Sequence, residues 1–458
     1  MTLRRYASTW FSFYVLSLLV SCSSGGSDGP GASSTAQLAP SNYTAYSGTD
    51  AKASPSPPPD LGPANSVLID PTFGSRILRV TDNQTASGSS LIPEDAGFFR
   101  TWNANSTAIK LMGGNGSSYW AAFDPANFQA GPLHPIAFDG HWEWSAVDPD
   151  TIYFLYGSEL KRYNIASQAM STLGATPNGE QVQYHVAVVG HDDWVCSAAG
   201  AGSQDTYTKL FCVSPSTSEA KLIDIASRTI NGVTQSDPNW PTAAAGQTLG
   251  IHSVNGSAGG MWLGLQFMQA SWNSQGTAVL DLNTNTWSLV TGADRYSSGH
   301  QSLGNGKYVN GSGSVNGQDS RGAVVRNPND LMNAAQYTFI MQPYATSGWY
   351  DGEHSSWFNA STNPNAPILF SRYDVTAPPS ALPWLGEIIL AATDGSNTVW
   401  RFAHNHNGGS TFYGQAFAQI SNDGRWALFS SYWDGTLGGS NGDFSLSTRI
   451  DTFVVELR

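Results

Sequence analysis

Gln415-Ala-Phe-Ala-Gln-Ile-Ser-Asn-Asp-Gly-Arg-Trp-Ala-Leu-Phe-Ser-Ser431 sets two apolar runs on either side of Ser421-Asn-Asp-Gly424. A turn residue followed by glycine between two such runs is what a tight β-hairpin needs, because glycine reaches positive φ without steric cost. The outline recurs in Trp102-Asn-Ala-Asn-Ser-Thr-Ala-Ile-Lys-Leu111 and Trp144-Ser-Ala-Val-Asp-Pro-Asp-Thr-Ile-Tyr-Phe154. Weaker copies follow at Val189-Gly-His-Asp-Asp-Trp-Val-Cys196, Asn255-Gly-Ser-Ala-Gly-Gly-Met-Trp262, Leu303-Gly-Asn-Gly-Lys-Tyr-Val309 and Phe358-Asn-Ala-Ser361 to Ile368-Leu-Phe-Ser371. The spacing is roughly 40–65 residues, the range in which each unit is a propeller blade or a solenoid coil.

Ser-Asn-Asp-Gly-Arg before an apolar strand resembles the Ser-Pro-Asp-Gly turn of WD-repeat-like bacterial propellers, where it joins a blade's inner strand to its second strand. Between the copies lie further hairpins, such as Ala278-Val-Leu-Asp-Leu-Asn-Thr-Asn-Thr-Trp-Ser-Leu-Val290 and Ile388-Ile-Leu-Ala-Ala-Thr-Asp-Gly-Ser-Asn-Thr-Val-Trp-Arg401, which supply third and fourth strands. Arg76 to Asp82 has no hairpin partner before the first copy, and Thr448 to Leu457 has none after the last. Pairing the two closes a ring and covers an edge. The expectation is an all-β, seven-bladed β-propeller over residues 65–458, with six or eight blades as the alternatives.

Composition agrees. Charged residues are 12% and aromatics 12%, with 48 Gly and 16 Trp, which suits many short strands under aromatic packing. No window sustains a 3.6-residue apolar pattern. The net charge of −13, without any Lys/Arg cluster, excludes nucleic acid as a general partner.

The first residues, Met1-Thr-Leu-Arg-Arg5 and an apolar run from Trp10 to Val20, read as an export signal over residues 1–21. Its end, Leu19-Val-Ser-Cys22, resembles the lipobox of bacterial lipoproteins, which implies acylation of Cys22 and anchoring to the cell envelope, at the outer membrane if the cell is Gram-negative. Residues 22–64, rich in Ser, Gly, Pro and Ala, read as a disordered tether. Cys196 and Cys212 sit in strand-like runs that a hairpin sets opposite each other; a disulfide and two buried thiols both remain open.

Five copies carry a histidine three or four places before the quoted segment: His141, His185, His252, His300 and His354. The first copy has Phe98-Phe99 and Arg100 there, and the last has Phe417-Ala418. Inner strands line a propeller's channel, so one register becomes one ring of side chains. Neutral imidazoles suit a borderline divalent metal ion or proton transfer near neutral pH. They also serve as bridges between blades, and a repeat carries such a bridge forward as readily.

The histidine-before-turn habit, with Gly299-His-Gln-Ser302 and Gly352-Glu-His-Ser-Ser-Trp357, is similar to that of propeller polysaccharide lyases, among them oligogalacturonate lyases. That resemblance implies a metal above the channel, with His252, His300 and His354 as ligands. It also implies proton abstraction by His185, His252, His300 or Tyr350. Lyase chemistry on a uronate requires its carboxylate neutralised, for which Arg100 or Arg372 is the candidate. His141 adds a substrate contact, and Trp142, Trp144 and Trp357 are the aromatic faces for stacking on sugars. His404-Asn-His406 is a lesser metal candidate, read as a solvated loop. The sequence holds no G-x-S-x-G elbow, phosphate loop, C-x-x-C pair or H-E-x-x-H. The reading is an exported propeller with a His-lined pocket acting on or binding polysaccharide; the alternatives are a protein- or glycan-binding scaffold at the envelope and a metal-dependent enzyme of another class.

Overall fold

The computed structural model describes residues 43–458 apart from 45, 115, 139–140, 244–248, 269–273, 291–299, 311–313, 316–317, 320–322, 342–351, 374–382, 408–410 and 441–442. Cys22, with the export signal, lies outside the described residues, and so does Tyr350.

Seven antiparallel sheets follow one another along the chain as the blades of a propeller. Blade 1 comprises Leu91–Ile92, Ala108–Gly113, Ser118–Asp124 and Gln129–Ile136. Blade 2 comprises Trp142–Trp144, Thr151–Tyr156, Glu159–Asn164 and Met170–Ala175. Blade 3 runs through Val182–Val189, Trp194–Ala199, Lys209–Val213 and Ala220–Asp224, with two short strands added outside. Blade 4 is Gly250–Gly256, Trp262–Met268, Ser274–Asp281 and Thr286–Leu289; blade 5 is Gln301–Leu303, Tyr308–Asn310, Ala323–Arg326 and Thr338–Ile340. Blade 6 is Gly352–Ser356, Ile368–Tyr373, Glu387–Ala391 and Val399–His404.

Blade 7 is composite. Gln419–Ile420, Trp426–Ser431 and Asp451–Glu456 come from the C-terminal end, and Arg76–Arg79 with Val67–Ile69 from the other. Ile77, Leu78 and Arg79 pair with Val455, Val454 and Phe453, which is the expected closure. Arg76 Nε donates to Glu456 Oε2 at 2.7 Å and Arg79 Nε to Asp451 Oδ2 at 3.0 Å across the same seam. The Ser421 turn that announced the fold is built as its residues require. Gly424 has φ +70°, Ser421 Oγ donates to Asp423 Oδ1, and the Trp426 amide donates to Ser421 Oγ.

The apolar core is a ring of layers between blades. Trp426 of blade 7 packs on Phe123 and Phe128 of blade 1, at centroid distances of 5.1 and 5.2 Å. Ala187, Cys196 and Leu210 of blade 3 meet Val254, Leu265 and Leu280 of blade 4. Each blade alternates its apolar side chains to both faces and buries each face against a neighbour. Cys196 and Cys212 are directly opposite on adjacent strands of blade 3, fully buried and joined as a disulfide.

The expected tether extended to residue 64, but residues 43–61 lie against the propeller. Tyr46–Ser47 adds a strand to blade 6 by pairing with Arg401 and Trp400. The indoles of Trp384 and Trp433 donate to the carbonyls of Gly48 and Pro59, at 2.9 and 2.8 Å. Composition concealed this, because the groups that hold the segment are its backbone carbonyls and two tyrosines rather than aliphatic side chains.

Deleting residues 451–458 removes the middle strand of blade 7 and leaves Arg76–Arg79 without its partner. We expect aggregation and loss of a cooperative melt rather than a modest shift. Size-exclusion chromatography and calorimetry check this; a monomeric variant with an unchanged melt would disprove closure by this pair.

Candidate functional site in the channel

The innermost strands put His141, His185, His252, His300 and His354 on one tier of the channel, completed by Phe99 in blade 1 and Phe417 before blade 7. The rings of His141 and His185 are 5.0 Å apart, those of His300 and His354 4.2 Å, and those of His354 and Phe417 4.7 Å. Two of these imidazoles sit on β-bulges. In blade 3 the register breaks between Val182 and Val186, and His185 within the break has φ +62°. In blade 4, Ile251 pairs with Phe267 and Ser253 with Gln266, so His252 is the extra residue. A bulge turns a side chain away from the alternation of its strand, and here it turns an imidazole to the axis.

Blade 1 departs from the repeat. Its inner strand leaves the sheet after Ile92 and returns at Trp102, which bridges Ile109. The excursion carries Glu94, Asp95, Phe98 and Phe99 into the channel. Phe99 meets His185 at 4.5 Å and His141 at 6.1 Å, and Phe98 meets His185 at 6.1 Å and His300 at 6.3 Å. Gly97 allows the passage, since a Cβ there would lie 2.6 Å from the Ser355 carbonyl oxygen.

Over this plug opens a cavity of about 380 Å³. Its wall includes His185, His252, His300, Asp95, Gln204 and Gln266, with Phe98, Phe412 and Tyr413 as its rings. His252 Nδ1 is 2.8 Å from Asp205 Oδ1, and Gln204 Nε2 donates to the His252 carbonyl. Both partners arrive on a loop of blade 3 stitched to blade 4. The Ile251 amide donates to the Tyr207 carbonyl at 2.8 Å and the Asp205 amide to the Ile251 carbonyl at 3.1 Å.

Burial sets the charges. It pushes the Asp95 carboxyl up to about 6, with help from Glu94 beside it. Burial, with the nearby His141, His252 and Lys110, holds His185 well below the usual imidazole range, so this ring is neutral. Burial and His300 do the same to His354, whose Nε2 is 2.6 Å from Gln415 Oε1. Burial opposes charge on His141 too, but the Glu94 carboxylate outweighs it and raises the pKa. Glu94 is itself paired with buried Lys110. Burial lifts Glu143 to about 7 although its carboxylate accepts from the Arg100 and Val188 amides.

Of the expected catalytic residues, His185, His252 and His300 thus share one cavity. Arg100 does not join them. Its guanidinium is 1% exposed, lies over the Phe358 ring and donates to Asn422 Oδ1 at 3.0 Å, because the excursion turns it inward. Arg372 is also interior, donating to the Pro383 carbonyl. Trp142, Trp144 and Trp357 are buried, the first two against each other with Lys110 over Trp142, the last donating to the Ala366 carbonyl. They pack between blades and present no face to a sugar. The expected metal set, His252, His300 and His354, forms no ion-holding group among the described residues. His252 turns to Asp205 and His354 to Gln415, and no group of three or more His, Cys, Asp or Glu among the described residues is arranged to hold an ion. His404 and His406 lie buried between blades 6 and 7, paired with Asp70 and Asp434, rather than in a solvated loop.

Sequence reasoning missed Asp95, Gln204, Asp205, Gln266 and Tyr413. Glu94-Asp95 just ahead of Phe98-Phe99 was a usable signal for the first. Gln204-Asp205 falls in the polar stretch between the two cysteines, which looked like turn alone.

No family model and no curated protein matches this chain. Solved structures do match in fold. An oligogalacturonate lyase in complex with manganese is similar with a TM-score of 0.54 and 10% identity, over 86% of this chain and 96% of that one. An oligogalacturonate lyase from Vibrio parahaemolyticus is similar with a TM-score of 0.54 and 9% identity, over 87% and 98%.

Gly250 lets the blade 3 loop lie on blade 4, since a Cβ there would overlap the Asp205 carbonyl. Gly250→Ala should therefore lift the loop from His252 and destabilise by about 1–3 kcal/mol, as overpacking does. Denaturant unfolding checks the cost, and hydrogen exchange checks the Ile251 amide, which should lose protection. An unaltered exchange rate would show that the loop does not depend on this contact.

Proposed function

We propose that this chain is a carbohydrate-active propeller that takes the end of an acidic saccharide into the His-lined cavity and acts on it by lyase-type proton abstraction. The observation that carries this reading is the His252–Asp205 pair in one cavity with His185 and His300. An Nδ1–H donated to Asp205 fixes the tautomer whose Nε2 lone pair accepts a proton, the arrangement of a base held by a third group. In β-elimination the base removes the proton α to the carboxylate. That electron pair forms the new double bond, the glycosidic carbon–oxygen bond breaks, and the leaving oxygen takes a proton. Burial raises the Tyr413 pKa, with Asp95 and Glu94 adding to it, so its phenol stays protonated as the donor on the cavity wall. Amide donors of Gln204 and Gln266, with the imidazoles, are the described groups facing a carboxylate.

His354 has a different part in this reading. Its bond to Gln415 ties blade 6 to the segment entering blade 7, so it is a bridge rather than a reacting group. Export, with anchoring to the envelope through acylated Cys22, completes the proposal on the strength of the lipobox resemblance.

Activity is tested by ultraviolet absorbance of unsaturated product on a panel of uronate oligosaccharides. His252→Ala should abolish turnover with little change in melting temperature, and Asp205→Asn should lower it by about 10²–10⁴-fold. Binding without turnover would leave a glycan-binding scaffold instead. Asp95 supplies a pH test. Its carboxyl is neutral below about pH 6 and negative above, so galacturonate should bind more tightly at pH 5 than at pH 7. Asp95→Asn should flatten that part of the dependence, as read by calorimetry.

A further inference from the structure

A second cavity, of about 390 Å³, opens where residues 57–61 cross the seam of blade 7. Pro57, Pro58 and Pro59 form one side of it, and Arg79 and Arg449 lie on the other. Both guanidiniums converge on a single carboxylate. Asp451 accepts from Nη2 of Arg79 at 2.5 Å and from Nη2 of Arg449 at 2.7 Å. Arg79 spends its other donors on the carbonyls of Gly62 and Thr81. Arg449 does not: it is 2% exposed, and among the described residues its Nε and Nη1 have no acceptor. A guanidinium cannot shed its proton, and a buried fork with unused donors is costly to leave unpaired. One carboxylate shared by two cations also leaves a surplus of positive charge, which the exposed Asp60 at the cavity wall only partly offsets.

The cavity is at the same end of the propeller as the histidines. Arg79 ends the fourth strand of blade 7, from which the chain runs on to enter the inner strand of blade 1, and His141 and His300 likewise stand where the chain enters inner strands. The loop that joins Ser431 to Asp451 connects the two places. Thr436, Leu437 and Arg449 of that loop line the arginine cavity, and the Phe444 ring lies tilted at 4.7 Å from Tyr413 of the histidine cavity.

We propose that this cavity is a second binding site, for an oxyanion, with Arg449 and Arg79 as its cationic wall and the prolines as its apolar one. Planar carboxylate matches the guanidinium fork, and the apolar proline side suits the face of a sugar ring. The ligand class is a carboxylate-bearing saccharide, and only that identity rests on the saccharide reading above; an oxyanion site stands without it. It gives the chain a cationic hold on an acidic glycan outside a histidine cavity whose described lining contains no Arg or Lys.

Calorimetric titration of the full chain with galacturonate, galactose and inorganic phosphate tests the proposal, in wild type and in His252→Ala. We expect galacturonate to bind in both, with galactose at least tenfold weaker. Arg449→Gln should weaken the His252→Ala protein's galacturonate binding tenfold or more. Two surface changes that spare the ion pairs guard against misfolding of that variant: Asn83→Asp should weaken binding and Asp60→Asn strengthen it, each by about two- to fivefold. Phosphate binding with the same dependence on Arg449, but no galacturonate binding, would keep the oxyanion site and overturn the saccharide as its ligand. No anion binding in the His252→Ala protein, or affinities indifferent to Arg449, Asn83 and Asp60, would overturn the site and leave the arginines as a structural clamp. Loss of turnover in His252→Ala with these affinities intact separates this site from the histidine cavity.

Discussion

The antiparallel pairing of Arg76–Arg79 with Asp451–Glu456 is the contact on which the molecule rests. A blade alone buries neither face, and its apolar residues become a core only between two neighbours. In a linear stack the terminal blades would each expose a face. Here the seam makes the last blade from both ends of the body, and Leu78 and Val454 then complete the layer in which Trp426 packs on Phe123 and Phe128. The charges along the seam follow the same logic. Arg79 and Arg449 share Asp451 at the end of the pairing where the chain leaves for blade 1.

The channel differs from the blades in what it asks of the backbone. Alternation along a strand directs side chains to the two interfaces, and part of the channel lining escapes it. His185 and His252 do so at bulges, and the blade 1 excursion does so by leaving its sheet altogether. Glu143 supports this irregular region by accepting from the Arg100 amide on one side and the Val188 amide on the other. The candidate chemistry thus sits where the repeat is broken.

That distinction explains what the sequence made legible. Blade number, closing strands and the histidine register follow from turn chemistry and spacing, which are local and repeat along the chain. The opposed positions of Cys196 and Cys212 follow likewise from a hairpin, but spacing left a disulfide and two thiols both open, and the structure joins them. Which way a side chain faces is not local. Trp142, Trp144 and Trp357 stand one or three places from His141 and His354, an odd spacing that along a strand turns a side chain to the other side, and all three pack between blades. Arg100 failed for a related reason: the repeat placed it beside the tier, but the excursion follows no repeat. Asp205 reaches His252 from another blade, across a separation of 47 residues, and no pattern in one repeat could disclose it.

Phe98 and Phe99 do more than narrow the channel. A ring of seven equivalent positions carrying like residues would offer an incoming molecule several indistinguishable orientations about the axis, and a polar chain could slip from one to the next. The inserted aromatic pair occupies one sector and the bottom of the cavity together, and it puts Asp95 on one side only. Rotational degeneracy is thereby removed. A ligand entering from the open end meets a fixed azimuth as well as a fixed depth, so a site made of pseudo-equivalent parts acquires a single handed frame in which a chiral ligand can be told from its epimers.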